Sequence, residues 1–517
     1  MPNSSILIVG AGPTGMTAAI ELKRAGFDVR IIDKSDHMAQ HSQALVVQAR
    51  TLEQFQRYGI AEEAVARGRK LHGAQFFSEG KQILSVNFDE LASRYPFALF
   101  LPQSETEALL NAHMEQLGVK TERRVELESL IQDDRSVRVS LRHPDGNLEE
   151  LRVRWVLGCD GAHSAVREKT GTPFEGGGVG LSFFLGDLVL DGPDAPENDL
   201  TIHVHHGDVV FLGRLNDKLV RMIVALHSQQ NEQGPVDMSI DDLQRAADRV
   251  GVRVKIHSAE WMTPFHVNDR QAKQIRIRNV FLAGDASHIH SPVGGQGMNT
   301  GIQDVANLAY KLAAVARGAD ESLLDSYEEE RGEVGKALLR FTERGLKMAT
   351  ITNPLLEQVR NVLGALISGV KPVQNAVIGF ISETAIEYRT SSAVVDHGGD
   401  GDLRAGDRLP DLTLHYPGEK ITLLRDWTQA RHLVLVINGC DAEVDYVRLN
   451  IPEAEVIPLH LPQLDDEGIN LLGITKKIVI VRPDGYVGFR GPIGRKQEWL
   501  EYARQDALLP QAIRLAA

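Results

Sequence analysis

The chain has 517 residues, its composition is 43% hydrophobic and 24% charged, and its formal net charge is −14. Length and composition indicate a globular protein of roughly three domains. The acidic balance, with no long basic run, argues against a nucleic-acid partner. We expect no membrane span and no signal peptide, because no apolar stretch has the required length or flanks. The two cysteines, Cys159 and Cys440, favour the reducing cytoplasm over a disulfide framework.

The first 33 residues have the pattern of a nucleotide-binding βαβ unit. An apolar strand at 6–9 leads into a G-x-G-x-x-G turn at 10–15, then an apolar-faced helix, then a strand at 29–32. In such a unit Gly10 makes the turn, Gly12 admits a pyrophosphate and Gly15 lets helix and strand close. Asp33, at the end of the second strand, accepts from a ribose hydroxyl. The alternative is a tight turn that holds no ligand.

A second glycine-rich segment follows a short strand at 280–283. Asp285 stands at the end of that strand, where a short acceptor reaches a ligand hydroxyl. A loop with Pro292, Gly295 and Gly297 then leads into a helix with apolar residues at helical spacing. The free N–H groups of the helix N-terminus favour a group that becomes negative, such as a reduced flavin ring. The bland alternative is a glycine-rich turn before a packing helix.

A third block, residues 155–167, contains Asp160 followed by Gly161. The three blocks together resemble the single-component FAD-dependent aromatic hydroxylases, the family of para-hydroxybenzoate hydroxylase, phenol hydroxylase and pentachlorophenol monooxygenase. The resemblance covers about residues 1–395. One departure is that many members carry a basic residue a few positions before an RTLE-like segment. This chain has Gln43 there, so Arg50 is the nearest substitute for a phosphate contact.

The resemblance implies non-covalent FAD, with NADPH or NADH as a transient co-substrate that has no Rossmann domain of its own. It identifies no acid or base and no metal site, and it makes Pro292, Gly295 and Gly297 the flavin-activating loop. The substrate residues predicted are His203, His205, Phe211 and Pro292. The cofactor-binding residues predicted are Gly10, Gly12, Pro13, Thr14, Gly15, Asp33, Lys34, Arg50, Gln103, Asp160, Gly284, Asp285, Pro292, Gly295, Gly297, Met298 and Asn299.

The fold class predicted is α/β, with a Rossmann-like FAD-binding domain, an antiparallel β-sheet substrate domain and a thioredoxin-like C-terminal domain. The FAD-binding domain is expected at 1–175 and 266–350, with strands of 71–101 joining the substrate sheet at 176–265. A helical connector spans 351–395. The C-terminal domain at 396–517 has no C-x-x-C, so it cannot exchange dithiols. We expect it to be dispensable for the chemical step.

Two features of the sequence leave alternatives open. Strand alternation places His203 and His205 on one face, and without a third ligand a metal pair is disfavoured. Solvent exposure is the favoured interpretation of these side chains, and pocket lining is second. The apolar helices of 353–388 form either core or a homodimer surface, and core packing is favoured.

The function predicted is an FAD-dependent monooxygenase that uses NAD(P)H and O2 to hydroxylate a phenolic or other electron-rich aromatic, polycyclic ones included. The family performs this reaction through a flavin C4a-hydroperoxide. The small aromatic substrate and O2 are the expected partners. A flavin epoxidase or oxidoreductase on the same fold and a non-catalytic flavin sensor are the alternatives. A halogenase is disfavoured because the four tryptophans are isolated and no W-x-W-x-I pattern occurs.

Overall fold

The computed structural model describes residues 6–39, 44–227, 239–291, 294–367, 370–424, 427 and 430–509, so Gln43 and Pro292 lie outside the described residues. The predicted βαβ unit is present at its start, since the apolar run at 6–9 is a strand buried on both faces. The elements of this part are β1 Ile6–Val9, α1 Pro13–Arg24, β2 Val29–Asp33, β3 Val46–Val47, α2 Ala49–Tyr58, α3 Ala61–Arg67, β4 Arg69–Leu71, β5 Gly73–Ser78, β6 Lys81–Asn87, β7 Ala98–Phe100 and α4 Gln103–Gln116.

The next part of the chain returns to the first sheet after an antiparallel excursion. Its elements are β8 Thr121–Arg123, β9 Glu126–Gln132, β10 Val137–Arg142, β11 Leu148–Val153, β12 Trp155–Gly158 and α5 Ala165–Thr170. The segments of alternating apolar residues between 126 and 153 form the antiparallel sheet β11-β10-β9. Trp155 does not belong to it, because it begins β12, which pairs in parallel with β1.

Long antiparallel strands then dominate the chain. The elements are β13 Phe174–Asp191, β14 Leu200–His205, β15 Asp208–Arg214, β16 Val220–His227, α6 Ile240–Arg249, β17 Lys255–Ala272, β18 Arg276–Ile277, β19 Val280–Leu282 and β20 His288–Ile289. With β19 in place, the first sheet has the order β18-β19-β12-β1-β2-β8, and its central strands are parallel. Its continuous apolar strands suit a sheet covered on both faces.

The large second sheet has the order β20-β17-β13-β16-β15-β14-β5-β6. Strands β5 and β6 join it, as predicted for part of 71–101. The same prediction was wrong for β4 and β7, which form a separate small sheet with β3. Strands β13 and β17 cross the predicted boundaries at 175 and 266, so the two domains share these strands. The end of β13 near Phe174 therefore lies close to the first sheet.

A helical part follows the second sheet. Its helices are α7 Gly297–Ala316, α8 Asp325–Tyr327, α9 Glu333–Ala349, α10 Pro354–Ile367 and α11 Lys371–Ile381. The preference for core packing was wrong for α10, because its apolar side chains Leu355, Val359 and Val362 are 73%, 53% and 60% exposed. Among the described residues, no helix combines the length and apolarity that a membrane crossing requires.

The C-terminal part forms its own α/β sheet, with the strand order β21-β27-β26-β24-β25. Its elements are β21 Val395–Asp396, β22 Thr413–Tyr416, β23 Glu419–Thr422, β24 Leu433–Ile437, α12 Asp441–Asn450, β25 Glu455–Leu459, α13 Asp466–Leu472, β26 Lys477–Val481, β27 Val487–Pro492 and α14 Lys496–Gln505. Mixed parallel and antiparallel pairing around β24 gives the predicted α/β class for this part.

A buried ionic cluster joins the C-terminal part to α7. Arg482 lies 2.6 Å from Glu330 and 2.5 Å from Asp484, and Lys311 of α7 lies 2.9 Å from Glu330. The side chains of Arg482, Glu330 and Lys311 are fully buried. Removing the C-terminal part would take Arg482 away from Glu330 and open the rest of this buried cluster to solvent. This cluster therefore argues against a separable C-terminal domain.

Candidate active site

The glycine turn after β1 has the close contacts that its residue types require. Gly10 has φ +100, and a Cβ there would lie 2.3 Å from the Cys159 carbonyl oxygen. At Gly15 a Cβ would lie 1.9 Å from the Gly10 oxygen, so α1 crosses the turn too closely for a side chain. Gly12 differs, because nothing lies within 4 Å of its added Cβ. The open side at Gly12 is the side from which a ligand can approach the backbone.

Asp33 lies beside this turn at the end of β2. One carboxylate oxygen accepts from the Ala11 N–H at 2.6 Å and the other from the Ser35 N–H at 2.8 Å. The side chain is thus fixed at the edge where a ribose would sit, while Lys34 next to it is exposed. Whether Lys34 contacts the cofactor stays a prediction.

Asp160 shapes its own turn instead of lining the cavity. Its carboxyl accepts from the Ser164 hydroxyl at 2.6 Å and from the Val166 N–H at 3.1 Å, which anchors the start of α5. Burial raises the pKa of the Asp160 carboxyl. Cys159 and Gly161 (φ +78) line the cavity on either side of it. Asp160 therefore positions the backbone of this turn.

The turn at Gly284 and Asp285 is held in place by an aspartate of α7 that the sequence patterns did not identify as a site residue. Asp304 of α7 accepts from the Gly284 N–H at 3.0 Å, from His288 Nε2 at 2.9 Å and from Arg331 Nε at 2.7 Å. Burial alone would raise the pKa of Asp304, but the charges of Arg331 and His288 hold it at about 2. The carboxylate is ionised and fully used, so it acts as a support for the turn.

The Asp285 carboxyl points the other way, into the cavity. The residue is exposed at the cavity wall, yet protein surrounds it, and this loss of bulk solvation raises the pKa of its carboxyl. Gly284 before it has φ +58, and a Cβ there would lie 2.6 Å from Thr14 Oγ1. A Cβ on Gly301 would lie 2.4 Å from the same atom, so two glycines make room for Thr14.

The glycine loop before α7 is held by side-chain amides. Gly294 and Gly295 have φ +90 and +63, and Asn299 donates to the Val46 and Gly295 carbonyls, both at 2.8 Å. Asn299 Oδ1 accepts from the Gln48 N–H at 2.9 Å. Asn299 is fully buried, so its side chain holds the loop and is not free for a ligand. The helix N-terminus at Gly297 and Met298 remains on the cavity wall.

These motifs open into one continuous cavity of about 540 Å³. One end is walled by the glycine turn, Asp285 and the loop before α7, and the other by apolar side chains under the second sheet. We call the second end the apolar chamber. Its walls are Leu71, Phe76, Leu84, Val86, Phe88, Phe100, Leu200, Ile202, Phe211, Ile223, Phe341, Val377 and Ile381.

Several buried polar atoms on the cavity wall have no hydrogen-bond partner among the described residues. They are Gln48 Oε1, Gln296 Oε1 and His290 Nε2. The Nδ1 of His290 lies 2.8 Å from the Ser291 carbonyl, which can only accept, so the proton is on Nδ1 and Nε2 is an acceptor. Burial lowers the pKa of His290 to about 4, so the ring is neutral at pH 7. Unpaired acceptors of this kind mark the place of a ligand or ordered water.

The prediction that His203 and His205 line the substrate pocket was wrong, and so was the expectation that His203 is exposed to solvent. His203 is 3% exposed, stacks on Phe77 at 4.8 Å and lies opposite Val210, whose face packs against α6. From β14 it is Leu200 and Ile202 that line the chamber. Strand alternation places His203 on the face of β14 opposite to Leu200 and Ile202, but the sequence could not show that α6 covers that opposite face. His205 also lies off the cavity wall, whereas Phe211 lines it as predicted.

Arg50 was assigned to the wrong site. Its guanidinium donates to Glu53 at 2.8 Å and to the Asp484 carbonyl at 2.5 Å, and it lies over the Tyr486 ring. It is buried against the C-terminal part and does not line the cavity. Gln103 does line it, and its side chain reaches Glu107 at 2.9 Å.

A second cavity of about 810 Å³ adjoins the first and shares Asp285, Ile289 and His290 with it. Its outer wall carries Arg167 and Arg270. Arg167 is held by the Ala286 and Ala162 carbonyls at 3.0 and 2.8 Å. The Nε of Arg270 has no hydrogen-bond partner among the described residues. Glu168 and Asp285 line the same cavity, so its wall carries charged side chains of both signs, in contrast to the apolar chamber.

Comparison with known proteins matches both the fold and the motifs. Residues 3–342 match the family model described as an FAD binding domain. The chain is 33% identical to 6-methylpretetramide 4-monooxygenase of Streptomyces rimosus, over 94% of this chain and 90% of the relative. It is 30% identical to pentachlorophenol 4-monooxygenase of Sphingobium chlorophenolicum, over 95% of each. The solved structure of the anhydrotetracycline hydroxylase OxyS from Streptomyces rimosus gives a TM-score of 0.81 at 30% identity, with 97% of this chain and 98% of that chain covered.

Proposed function

Because the chain belongs to the FAD-dependent aromatic monooxygenases, we propose that it hydroxylates a polycyclic phenol in its apolar chamber, with NAD(P)H and O2 as co-substrates. The observation that carries the proposal is the continuity of the chamber with the cofactor groove in one cavity of about 540 Å³. The apolar side chains of the chamber form a concave wall of the kind that buries a flat ligand of fused rings. The names of two similar proteins, 6-methylpretetramide 4-monooxygenase and the anhydrotetracycline hydroxylase OxyS, support a polycyclic substrate here.

The cofactor residues of this chain fit FAD. Gly12 offers an open backbone for the pyrophosphate, Asp33 stands at the ribose position and Asp285 at the ribityl position. When bound, FAD supplies the chemistry that activates O2 for transfer to an electron-rich ring. The N-terminus of α7 lies on the cavity wall and would favour the negatively charged reduced form of a flavin bound there.

The proposed hydroxylation requires bound FAD and also the exclusion of water from the substrate. The chamber walls provide this exclusion. Phe76, Phe100, Phe211 and Ile202 present carbon surface to the substrate, with Arg221 as a charged group at the edge. Arg221 is already paired with Asp187 at 2.7 Å, so its charge is compensated. A flat apolar ligand displaces water from such walls at low cost.

His290 is our candidate for orienting the phenol. Its Nε2 is an unpaired acceptor on the cavity wall, so it can accept a hydrogen bond from the substrate hydroxyl. With a pKa of about 4 it is a weak proton sink, so we assign it positioning and not complete deprotonation. His290→Phe should raise the KM for the phenol by about fivefold, the effect of one lost hydrogen bond. FAD affinity should not change. An unaltered KM would remove His290 from this role.

The two arginines of the adjoining cavity, Arg167 and Arg270, support an approach path for NADPH or NADH. Arg270 presents an unpaired guanidinium nitrogen there, which suits a dinucleotide phosphate.

The two cysteines are free, Cys159 buried and Cys440 exposed, and this fits an enzyme of the reducing cytoplasm.

The test is NAD(P)H oxidation by the FAD-loaded protein across a panel of one-ring to four-ring phenols. We expect stimulation that increases with ring number, coupled to a hydroxylated product. Ile202→Trp, which narrows the chamber, should abolish stimulation by four-ring phenols and spare one-ring ones. Leu148→Trp, at an exposed position away from the cavity, is the matched control. No stimulation by any phenol would favour the flavin-sensor alternative.

A further inference from the structure

The hairpin between β14 and β15 carries two adjacent histidines whose rings lie side by side. Neighbouring residues of a regular strand point to opposite faces. His206 escapes this rule because it has φ 47, in the left-handed region, and its ring centroid is therefore only 3.9 Å from that of His205. His206 and Gly207, with φ 47 and 87, form the two-residue turn of this hairpin, and the turn brings the two rings together.

A buried carboxylate from another element meets the two rings. Glu357 of α10 places Oε2 3.4 Å from His206 Nδ1 and Oε1 3.8 Å from His205 Nδ1. Its side chain is 7% exposed. The His205 Nδ1 atom is shielded from solvent and has no hydrogen-bond partner among the described residues. The cluster thus contains an unsatisfied nitrogen that faces a buried anion.

We propose that His205, His206 and Glu357 form a binding site for a divalent transition metal ion of the zinc type. The three ligand atoms all lie within 4.8 Å of one another. Tetrahedral zinc with bonds near 2.1 Å needs ligand atoms about 3.4 Å apart, so small side-chain movements close the site. Imidazole nitrogen and carboxylate oxygen are the donor types that zinc accepts.

A fourth ligand is available from the hairpin between β5 and β6. Glu79 Oε1 lies 3.8 Å from His205 Nδ1, and the residue is exposed enough to move. Glu79 and Gly80, with φ 50 and 72, form the two-residue turn of that hairpin. Water is the other choice for this position.

One cation already contacts the cluster and must be compatible with the metal. Arg360 Nη2 lies 3.1 Å from Glu357 Oε1, which leaves Oε2 beside His206 for the ion. Glu79 and Glu357 together carry two negative charges against the single positive charge of Arg360. A divalent ion therefore meets a net negative site.

The bound ion would connect α10 to the β5–β6 and β14–β15 hairpins. Strands β5, β6 and β14 carry chamber-wall residues, including Phe76, Leu84 and Ile202. The site would thus stabilise the part of the second sheet that encloses the substrate, at a distance from the flavin groove. The proposed hydroxylation does not depend on it.

The experiment titrates Zn²⁺ into chelator-treated, FAD-loaded enzyme by calorimetry, with the thermal midpoint as a second readout. We expect one Zn²⁺ per chain at micromolar affinity or tighter and a higher midpoint with the metal. His206→Asn keeps a residue type that tolerates the left-handed backbone but removes the imidazole. Glu357→Gln keeps the shape of the carboxylate but removes its charge. Each should weaken binding at least tenfold.

His257→Asn is the matched control, because His257 forms an exposed pair with Asp191 at 2.9 Å outside the cluster. It should bind Zn²⁺ like the parent. FAD content, measured for every variant, verifies the fold. No stoichiometric binding by the parent, or binding retained in both cluster variants, would overturn the proposal.

Discussion

Helix α7 passes through two regions that differ in whether their buried polar groups have hydrogen-bond partners. Around its middle, Asn307 and Lys311 enter the ionic cluster with Glu330, Arg482 and Asp484, and these charges are paired at 2.5–3.0 Å. At its N-terminus, the cavity wall holds buried acceptors that have no hydrogen-bond partner in the part of the chain that the structure describes. A folded protein satisfies nearly all its buried polar groups. The paired region is therefore structural, and the unpaired one is where a ligand completes the molecule.

The same contrast separates Asp304 and Asp285, the two aspartates at the turn of Gly284 and Asp285. Asp304 accepts three hydrogen bonds and its pKa is held at about 2. Asp285, in the same turn, points into the cavity, and its pKa is raised. The first supports the backbone of the site, and the second is available to the cofactor.

The largest effect is expected from breaking the paired region. Arg482→Ala removes the cation between Glu330 and Asp484 and leaves two buried carboxylates poorly compensated. We expect the free energy of unfolding to fall by about 3–5 kcal/mol. Chemical denaturation of the FAD-loaded protein measures it. Arg495→Ala, which breaks an exposed pair with Glu498, should cost about 0–1 kcal/mol. Equal effects of the two variants would show that the cluster is not structurally important.

A smaller effect, on FAD binding, is expected from a substitution of Asp285. Asp285→Asn should weaken FAD binding by about 1–3 kcal/mol, because a charged acceptor for a ribityl hydroxyl is lost. Fluorescence titration of the apoprotein measures the affinity. Asp304→Asn should instead lower the stability of the apoprotein, since it disrupts the support of the turn. A variant at Asp285 with unchanged FAD affinity would place the ribityl contact elsewhere.

The raised pKa of Asp285 also predicts the pH dependence of that variant. The native state holds the Asp285 proton to higher pH than the unfolded state does, whose pKa is near 3.8. Stability therefore falls as the pH rises from 3.8 to the native pKa, the full loss remains at higher pH, and there is no loss below 3.8. The Asn variant should have a higher thermal midpoint than the parent apoprotein at pH 7. The difference should vanish near pH 3. A constant difference at all pH values would contradict the assignment.

The smallest effect is expected at the open glycine of the first turn. Gly12→Ala adds a methyl group into free space, so the apoprotein should keep its thermal midpoint. FAD affinity should fall about tenfold, roughly 1.4 kcal/mol, because the pyrophosphate can no longer approach the backbone. Gly494→Ala, also free of neighbours within 4 Å, is the control. Loss of folded apoprotein with Gly12→Ala would mean that the turn is as tightly packed there as at Gly15.

The local parts of this site could be predicted from the sequence. The βαβ turn, Asp33 and the glycine loop before α7 depend on residues close together in the chain, and their patterns identify them. The contacts of Arg50 with Asp484 and of Glu330 with Arg482 join residues more than 150 positions apart, and no local pattern encodes them. His203 shows the same limit, since its strand was recognised but the helix that covers it was not. Long-range packing decides which of the side chains that the sequence patterns single out reach the cavity.

The hydroxylation itself is tested most directly with ¹⁸O2 gas and a polycyclic phenol that stimulates NAD(P)H oxidation by the FAD-loaded enzyme. We predict that mass spectrometry finds one ¹⁸O atom in the product, on the ring carbon ortho or para to the hydroxyl. The Ile202→Trp variant should lose this product while it keeps bound FAD. Oxygen derived from water, or hydrogen peroxide as the only product across the panel, would contradict the assignment of this enzyme as an aromatic hydroxylase.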